Sequence, residues 1–256
     1  MNISILLPYK ENYSPTYPGA VSLFVDATSK ISSYKKDITV FGNTNFKKKL
    51  YGNYINIKLP KNNILKSQSS SYVNKFIDLQ DKVFSDIIEV HNRPNYISKL
   101  NVLKKKIVLY FHNDPITMLG SKKEKERIFL LKNCEKIIFN SQWSKSRFLM
   151  NLENIYHKSD KLEVIHQSIN KTFVDLKKKQ KLITFVGKLN LAKGYDLFGV
   201  AVVKILNKHK NWKAIVIGDE PREKLNFKHK NLKILGFQEH SKVLNIFKKT
   251  SIAVAC

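Results

Sequence analysis

Two kinds of chemistry stand at the ends of short apolar runs in this chain. The first is anion binding. In Phe185-Val186-Gly187-Lys188-Leu189-Asn190-Leu191-Ala192-Lys193-Gly194-Tyr195-Asp196 a strand-like run ends at Gly187, a short loop carries two lysines, and a helix-period segment starts near Gly194. Small residues allow close backbone approach, two ammonium groups flank the opening, and a helix N-terminus favours negative charge. Together these suit a diphosphate; ordinary solvated lysines in a loop are the competing reading. The loop is not a phosphate-binding G-K-[ST] loop, and no G-x-G-x-x-G fingerprint occurs in the sequence. The second chemistry is polar. Ile88-Glu89-Val90-His91-Asn92-Arg93-Pro94 and Tyr110-Phe111-His112-Asn113-Asp114-Pro115 each end an apolar run with a histidine and then reach a proline. Ile138-Phe139-Asn140-Ser141 ends a third run and supplies a helix cap before Trp143. One such histidine is commonly structural. Two at neighbouring strand ends, facing the same edge of a parallel sheet, point to a shared cleft.

These residues need strands to carry them. Candidate strands lie at residues 3–7, 38–41, 54–57, 87–90, 107–111, 136–140 and 162–165, with a second series at 182–186, 213–217, 231–235 and 251–255. Helix-period segments such as 20–33, 141–154, 195–208 and 240–249 lie between them. The alternation predicts βαβ units and parallel sheets, and runs that are apolar on both faces fit buried parallel strands. A charged stretch ending in LKKKQK has no apolar period and reads as a linker. The expected organisation is thus an α/β domain over residues 1–168, a linker over 169–181 and a second α/β domain over 182–256. The loop 9–19, rich in Tyr, Pro and Asn, joins the first strand to the first helix, and Gly19 would let that helix N-terminus approach a ligand closely.

Composition narrows the classes. The 256 residues hold 46 basic and 20 acidic side chains, a net charge of +26, but only four of the basic ones are Arg. Arg is the planar reader of bases and phosphates, whereas Lys is a solvated point charge. A basic nucleic-acid-binding protein therefore has the charge behind it, but it lacks the Arg and any aromatic-interleaved basic motif. The 43% hydrophobic content supports a core rather than global disorder. No apolar run approaches the roughly 18 residues of a membrane span, and the first eight residues read as a strand rather than a signal peptide. Two cysteines supply neither a disulfide framework nor a zinc site, so a reducing, cytoplasmic setting is expected. D-x-D, H-E-x-x-H and G-x-S-x-G are absent from the sequence, and a metal-free site would have to neutralise a leaving diphosphate with Lys, Arg and helix dipoles.

At these residues the chain resembles the retaining family 4 glycosyltransferases of GT-B fold. ITFVGKLNLAKGYDLFGVAVV resembles their "f-v-G-R-l-x-x-x-K-G-x-d-l-l-i-x-A" segment and is the most specific signal. IIEVHNRP and VLYFHNDP resemble their two His-bearing strand ends, CEKIIFNSQWSKSRF their strand–Ser–helix, and Pro18-Gly19-Ala20-Val21 their glycine loop under the donor sugar. WKAIVIGDEP and NLKILGFQEH follow as the next strands, whereas VIHQSIN departs from the pattern at its Pro and Gly positions.

The resemblance implies two Rossmann-like parallel-sheet domains, the second incomplete. It implies transfer of a hexosyl unit from a nucleotide-diphosphate sugar, with retention and without a metal or other cofactor. The acceptor would be a glycan or lipid-linked precursor of a cell-surface polysaccharide or lipopolysaccharide. It places Gly19, Gly187, Lys188, Lys193, Gly194, Gly236 and Phe237 around the donor, His112 at the reaction centre, and His91 and Arg93 toward the acceptor. Lys188 stands where the family has Arg. The family's glutamate pair would follow the strand that ends at Cys256, so little catalysis is expected of the chain as it stands. A Lys-rich face could hold such an enzyme at an anionic membrane surface. A nucleotide-sugar epimerase of the same architecture is the alternative enzyme, and nucleic acid is the disfavoured partner.

Overall fold

A computed structural model describes residues 1–50, 52–59, 67–152, 156, 159–168, 173–219 and 225–255. The chain divides into two units, Met1–Ile169 and Asn170–Cys256. In the first, seven strands form one parallel sheet in the order β3-β2-β1-β4-β5-β6-β7. They are β1 (Ile3–Leu6), β2 (Ile38–Gly42), β3 (Asn53–Asn56), β4 (Ile87–His91), β5 (Lys106–Phe111), β6 (Lys136–Phe139) and β7 (Leu162–Val164). The order reverses between β1 and β4, and in open α/β sheets ligands bind beyond the carboxyl ends of the strands at such a switch point. The second unit repeats the plan with β8 (Gln180–Val186), β9 (Lys213–Ile217), β10 (Leu232–Ile234) and β11 (Thr250–Val254), all parallel in the order β10-β9-β8-β11.

Burial explains why these runs are strands. Leu6, Phe41, Ile88, Val90, Leu109, Phe111, Ile137 and Phe139 are fully buried in the first unit. Consecutive residues of β2 are buried on both faces, as expected when helices cover both sides of a parallel sheet. The helices are α1 (Ala20–Ile31), α2 (Gln68–Gln80), the single turn α3 (Ile97–Leu100), α4 (Glu124–Asn133) and α5 (Gln142–Leu149). In the second unit α6 (Tyr195–Lys208) lays Tyr195, Phe198, Val202 and Leu206 against Ile183, Phe185 and Val216, and α7 (His240–Lys249) precedes β11.

Two expectations change at the element ends. Strand β8 begins at Gln180, so Gln180 and Lys181 belong to the sheet rather than to a linker reaching residue 181. Both are exposed, which is why no apolar pattern marked them, and Gln180 pairs with Thr250 of β11. The helix expected over 141–154 runs only to Leu149. The chain leaves the helix at Met150, whose ψ is 122, and then turns through a left-handed Asn151 at φ 65; residues 153–155 lie outside the described ones.

The core beneath the histidine-bearing edge is aromatic. Phe139 lies 5.6 Å from Phe111 and 5.3 Å from Phe148 between ring centroids, and all three are fully buried. Replacing Phe139 with Ala should cost about 3–5 kcal/mol from lost burial and an uncollapsed cavity; urea denaturation of the chain measures it.

Candidate functional site

At the carboxyl edge of the first sheet the strand ends are tied together by two asparagine side chains. Asn92, just after β4, adopts φ 50 and accepts the His112 backbone N–H on its Oδ1 at 2.8 Å. Asn140, just after β6, donates Nδ2 to the His112 carbonyl at 2.9 Å. Its own Oδ1 accepts from the Ser144 hydroxyl at 2.7 Å, and Ser141 caps α5 by accepting from the Ser144 N–H at 3.1 Å. Two residues beyond His112, Asp114 is held by Arg147 of α5 at 3.0 Å and caps the short turn that follows by accepting from the Ile116 N–H. His112 therefore sits on a backbone clamped from both neighbouring strand ends and from the loop beyond.

Its ring belongs to a cluster. His112 Nε2 lies 2.8 Å from His91 Nδ1, and His91 Nε2 lies 2.6 Å from Glu89 Oε1. On the other side His112 Nδ1 meets the Gln167 amide nitrogen at 2.6 Å. Tyr110 stacks on His112 at 4.5 Å, and Phe24 of α1 meets the ring edge-on at 5.0 Å. Glu89 and His91, and likewise Tyr110 and His112, are two residues apart on a strand and so share a face. Burial, with a smaller contribution from neighbouring His91, pushes the His112 pKa down to about 3.

His91 does not face an acceptor. Its side chain is fully buried between Glu89 and His112, and its ring reaches the edge only through the contact with His112. Arg93 is half-buried and donates to the Asn92 carbonyl at 2.7 Å, steadying the turn that carries the Asn92 clamp. At Gly19 the close approach expected of a ligand is made by the protein itself. The Glu11 carboxylate packs where a Gly19 side chain would be and accepts the Ser22 N–H of α1 at 3.0 Å. The loop after β1 folds back so that an anion of the chain satisfies a helix N-terminus, as such termini favour.

The second sheet treats its edge differently. Gly187 after β8 donates its N–H to the Ile217 carbonyl at 3.0 Å, and Gly218 after β9 donates to the Gly236 carbonyl at 2.9 Å. Gly218 adopts φ +130, and any Cβ there would run into the Gly187 carbonyl. Three strand ends thus meet as bare backbone. Lys188 and Lys193 are exposed beside this floor. Gly194, at φ 61, opens α6 with no side-chain cap on its N-terminus, and Phe237 is half-buried next to Gly236. Such an edge can take an anionic group against backbone and lysine. Among the described residues no cluster of His, Cys, Asp and Glu could hold a metal ion, and no helix is long and apolar enough to cross a membrane.

The sequence pattern placed Asn140 at the first edge without its bond to His112, and it missed the roles of Glu89, Asn92 and Gln167 there and of Gly218 at the centre of the second. Glu89 carried a usable signal, since its spacing of two from His91 places both on one face. Gln167 carried none, because it reaches the ring across 55 residues from a segment without pattern.

Residues 167–256 match the family model described as Glycosyl transferases group 1. No curated protein sequence matches the chain. Among solved structures, Anabaena HepE in complex with UDP-glucose aligns with TM-score 0.64 at 14% identity, over 93% of this chain and 70% of that one. The lipopolysaccharide outer core galactosyltransferase WaaB aligns with TM-score 0.58 at 14% identity, over 100% and 74%. A UDP-N-acetylglucosamine 2-epimerase from Rickettsia bellii aligns with TM-score 0.57 at 12% identity, over 96% and 71%. These likenesses show the fold: the chain is of GT-B type, with two Rossmann-like parallel-sheet units.

Two outcomes follow. Gly218→Ala forces a side chain into left-handed backbone against a neighbouring carbonyl, and should lose more than about 1–3 kcal/mol of stability in thermal or denaturant unfolding. For His112 the folded pKa lies below the unfolded value of about 6.5, so the unfolded state binds more protons as acidity rises. The stability from keeping the ring neutral is complete above that value and is lost as pH falls from it toward about 3. An NMR titration should accordingly show the His112 ring unchanged between about pH 8 and pH 5, where an ordinary imidazole charges.

Proposed function

We propose that the protein is a glycosyltransferase that takes a hexosyl unit from a nucleotide-diphosphate sugar and passes it, with retention, to a glycan or lipid-linked acceptor. The observation that carries this reading is the glycine floor of the second sheet. It lies in the segment that matches a transferase family, and two exposed lysines and an uncapped helix N-terminus stand beside it. In this reading Lys188 and Lys193 neutralise the leaving diphosphate without a metal, and Gly187 and Gly194 let it approach the backbone. Gly236 and Phe237 lie toward the nucleotide base. His112 meets hydroxyls of the sugar substrates, His91 holds its ring, and Arg93 stands on the acceptor side. A donor contact at Gly19 requires the Glu11 carboxylate to move aside. The Lys-rich surface suits an enzyme held at the anionic cytoplasmic face of a membrane, where each nearby Lys contributes roughly 1 kcal/mol. A role in cell-surface glycan or lipopolysaccharide synthesis fits the same acceptors.

Isothermal titration of the 256-residue chain with UDP, GDP and ADP tests the reading without asking for turnover. One of the three should bind. Replacing Lys188 and Lys193 together with Ala should weaken it by at least tenfold, the loss expected when charge-assisted hydrogen bonds of about 1.5–3 kcal/mol disappear. Affinity unchanged by the double replacement, or duplex DNA bound more tightly than any diphosphate, would count against it.

A further inference from the structure

The hydrogen-bond chain through the first edge has a direction set from one end. An ionised carboxylate only accepts, so the 2.6 Å contact with Glu89 makes His91 Nε2 the protonated nitrogen of its ring. With one proton on each ring, His91 Nδ1 is then an acceptor, and the 2.8 Å contact makes His112 Nε2 the donor to it. His112 Nδ1 is left with a lone pair, and it is this lone pair that the Gln167 amide nitrogen meets at 2.6 Å. The rings have little freedom to break the sequence. His91 is fully buried and stacked 5.5 Å from Tyr110, and Phe24 packs on both imidazoles. The Gln167 end is the more open to solvent: Gln167 is exposed, whereas Glu89 and His112 are half-buried.

We propose that Glu89, acting through His91, is a positioning residue that keeps His112 Nδ1 a hydrogen-bond acceptor for a sugar hydroxyl, and that the Gln167 amide holds that hydroxyl's place until substrate displaces it. The assignment of a sugar hydroxyl rests on the transferase reading above. The direction of the relay does not, and it is measured separately.

Long-range 1H–15N correlation spectra of the histidine rings at about pH 8 distinguish a protonated from a bare ring nitrogen, with His91 and His112 identified by the signals lost on replacing each. The wild-type chain should show Nε2 protonated and Nδ1 bare on both. Glu89→Gln keeps size and shape but offers an amide that can donate as well as accept, so both rings should lose the single pattern and show two. Gln167→Ala should leave both tautomers as they are, because direction comes from the Glu89 end. A proton on His112 Nδ1 in the wild type overturns the proposal. So does a single unchanged pattern in Glu89→Gln, or a tautomer switch in Gln167→Ala. Failure to bind any nucleoside diphosphate would instead remove the sugar reading and leave these spectra as expected.

Discussion

A parallel sheet ends all its strands at one edge, and the last peptide groups there have no ladder partner. Buried polar groups left unpaired cost about 1–3 kcal/mol each, so the edge has to be completed by something other than sheet. The two units complete theirs in opposite ways. The first sheet uses the amides of Asn92 and Asn140, which grip the N–H and the carbonyl of His112 from either side. The second uses glycine backbone, with Gly187, Gly218 and Gly236 close enough to bond directly across strand ends.

That difference in closure sets a difference in chemistry. Side-chain clamps carry bulk, and around His112 the bulk is aromatic: Tyr110 and Phe24 remove water and keep the imidazole neutral. A neutral ring in a fixed tautomer is a directional acceptor, suited to hydroxyls rather than to anions. Glycine closure removes bulk and leaves N–H dipoles and solvated lysines, an environment for a doubly charged group. The two sheets thus end in different surroundings, one a neutral, aromatic-walled imidazole and the other bare backbone beside lysines.

Strands were the most legible part of the sequence because parallel strands buried on both faces show as continuous apolar runs. Residues 213–217 and 240–249 have in the structure the bounds read from the pattern. Helix α2 was hidden for the converse reason: QSSSYVNKFIDLQ buries only Tyr72, Val73, Phe76 and Gln80, and its polar residues outweigh them. The histidines were legible as neighbours because adjacent strands ending at one edge must bring them together. Their roles were not. Whether a strand-end histidine faces solvent or its neighbour depends on which face the strand presents, and here that face puts His91 between Glu89 and His112. The cleft implied by Gly19 was likewise filled by Glu11, a local fold-back that no spacing encodes.

Arginine usage closes the case on the charge. Arg127 is almost completely buried and donates to the carbonyls of Ser121, Lys122 and Met150. Arg147 is committed to Asp114, and Arg93 to its own backbone neighbour. The three arginines among the described residues are thus engaged in building the fold, and the exposed cations beside the second sheet's edge are lysines. A lysine ammonium is a hydrated point charge without a preferred plane. Recognition by such groups is governed by net charge and screened by salt, while selectivity for one anion must come from the shape of the backbone beside them. In the proposed reading that shape is the glycine floor at Gly187, Gly218 and Gly236. A uniformly basic surface can therefore attract many polyanions and still hold a compact diphosphate at one place.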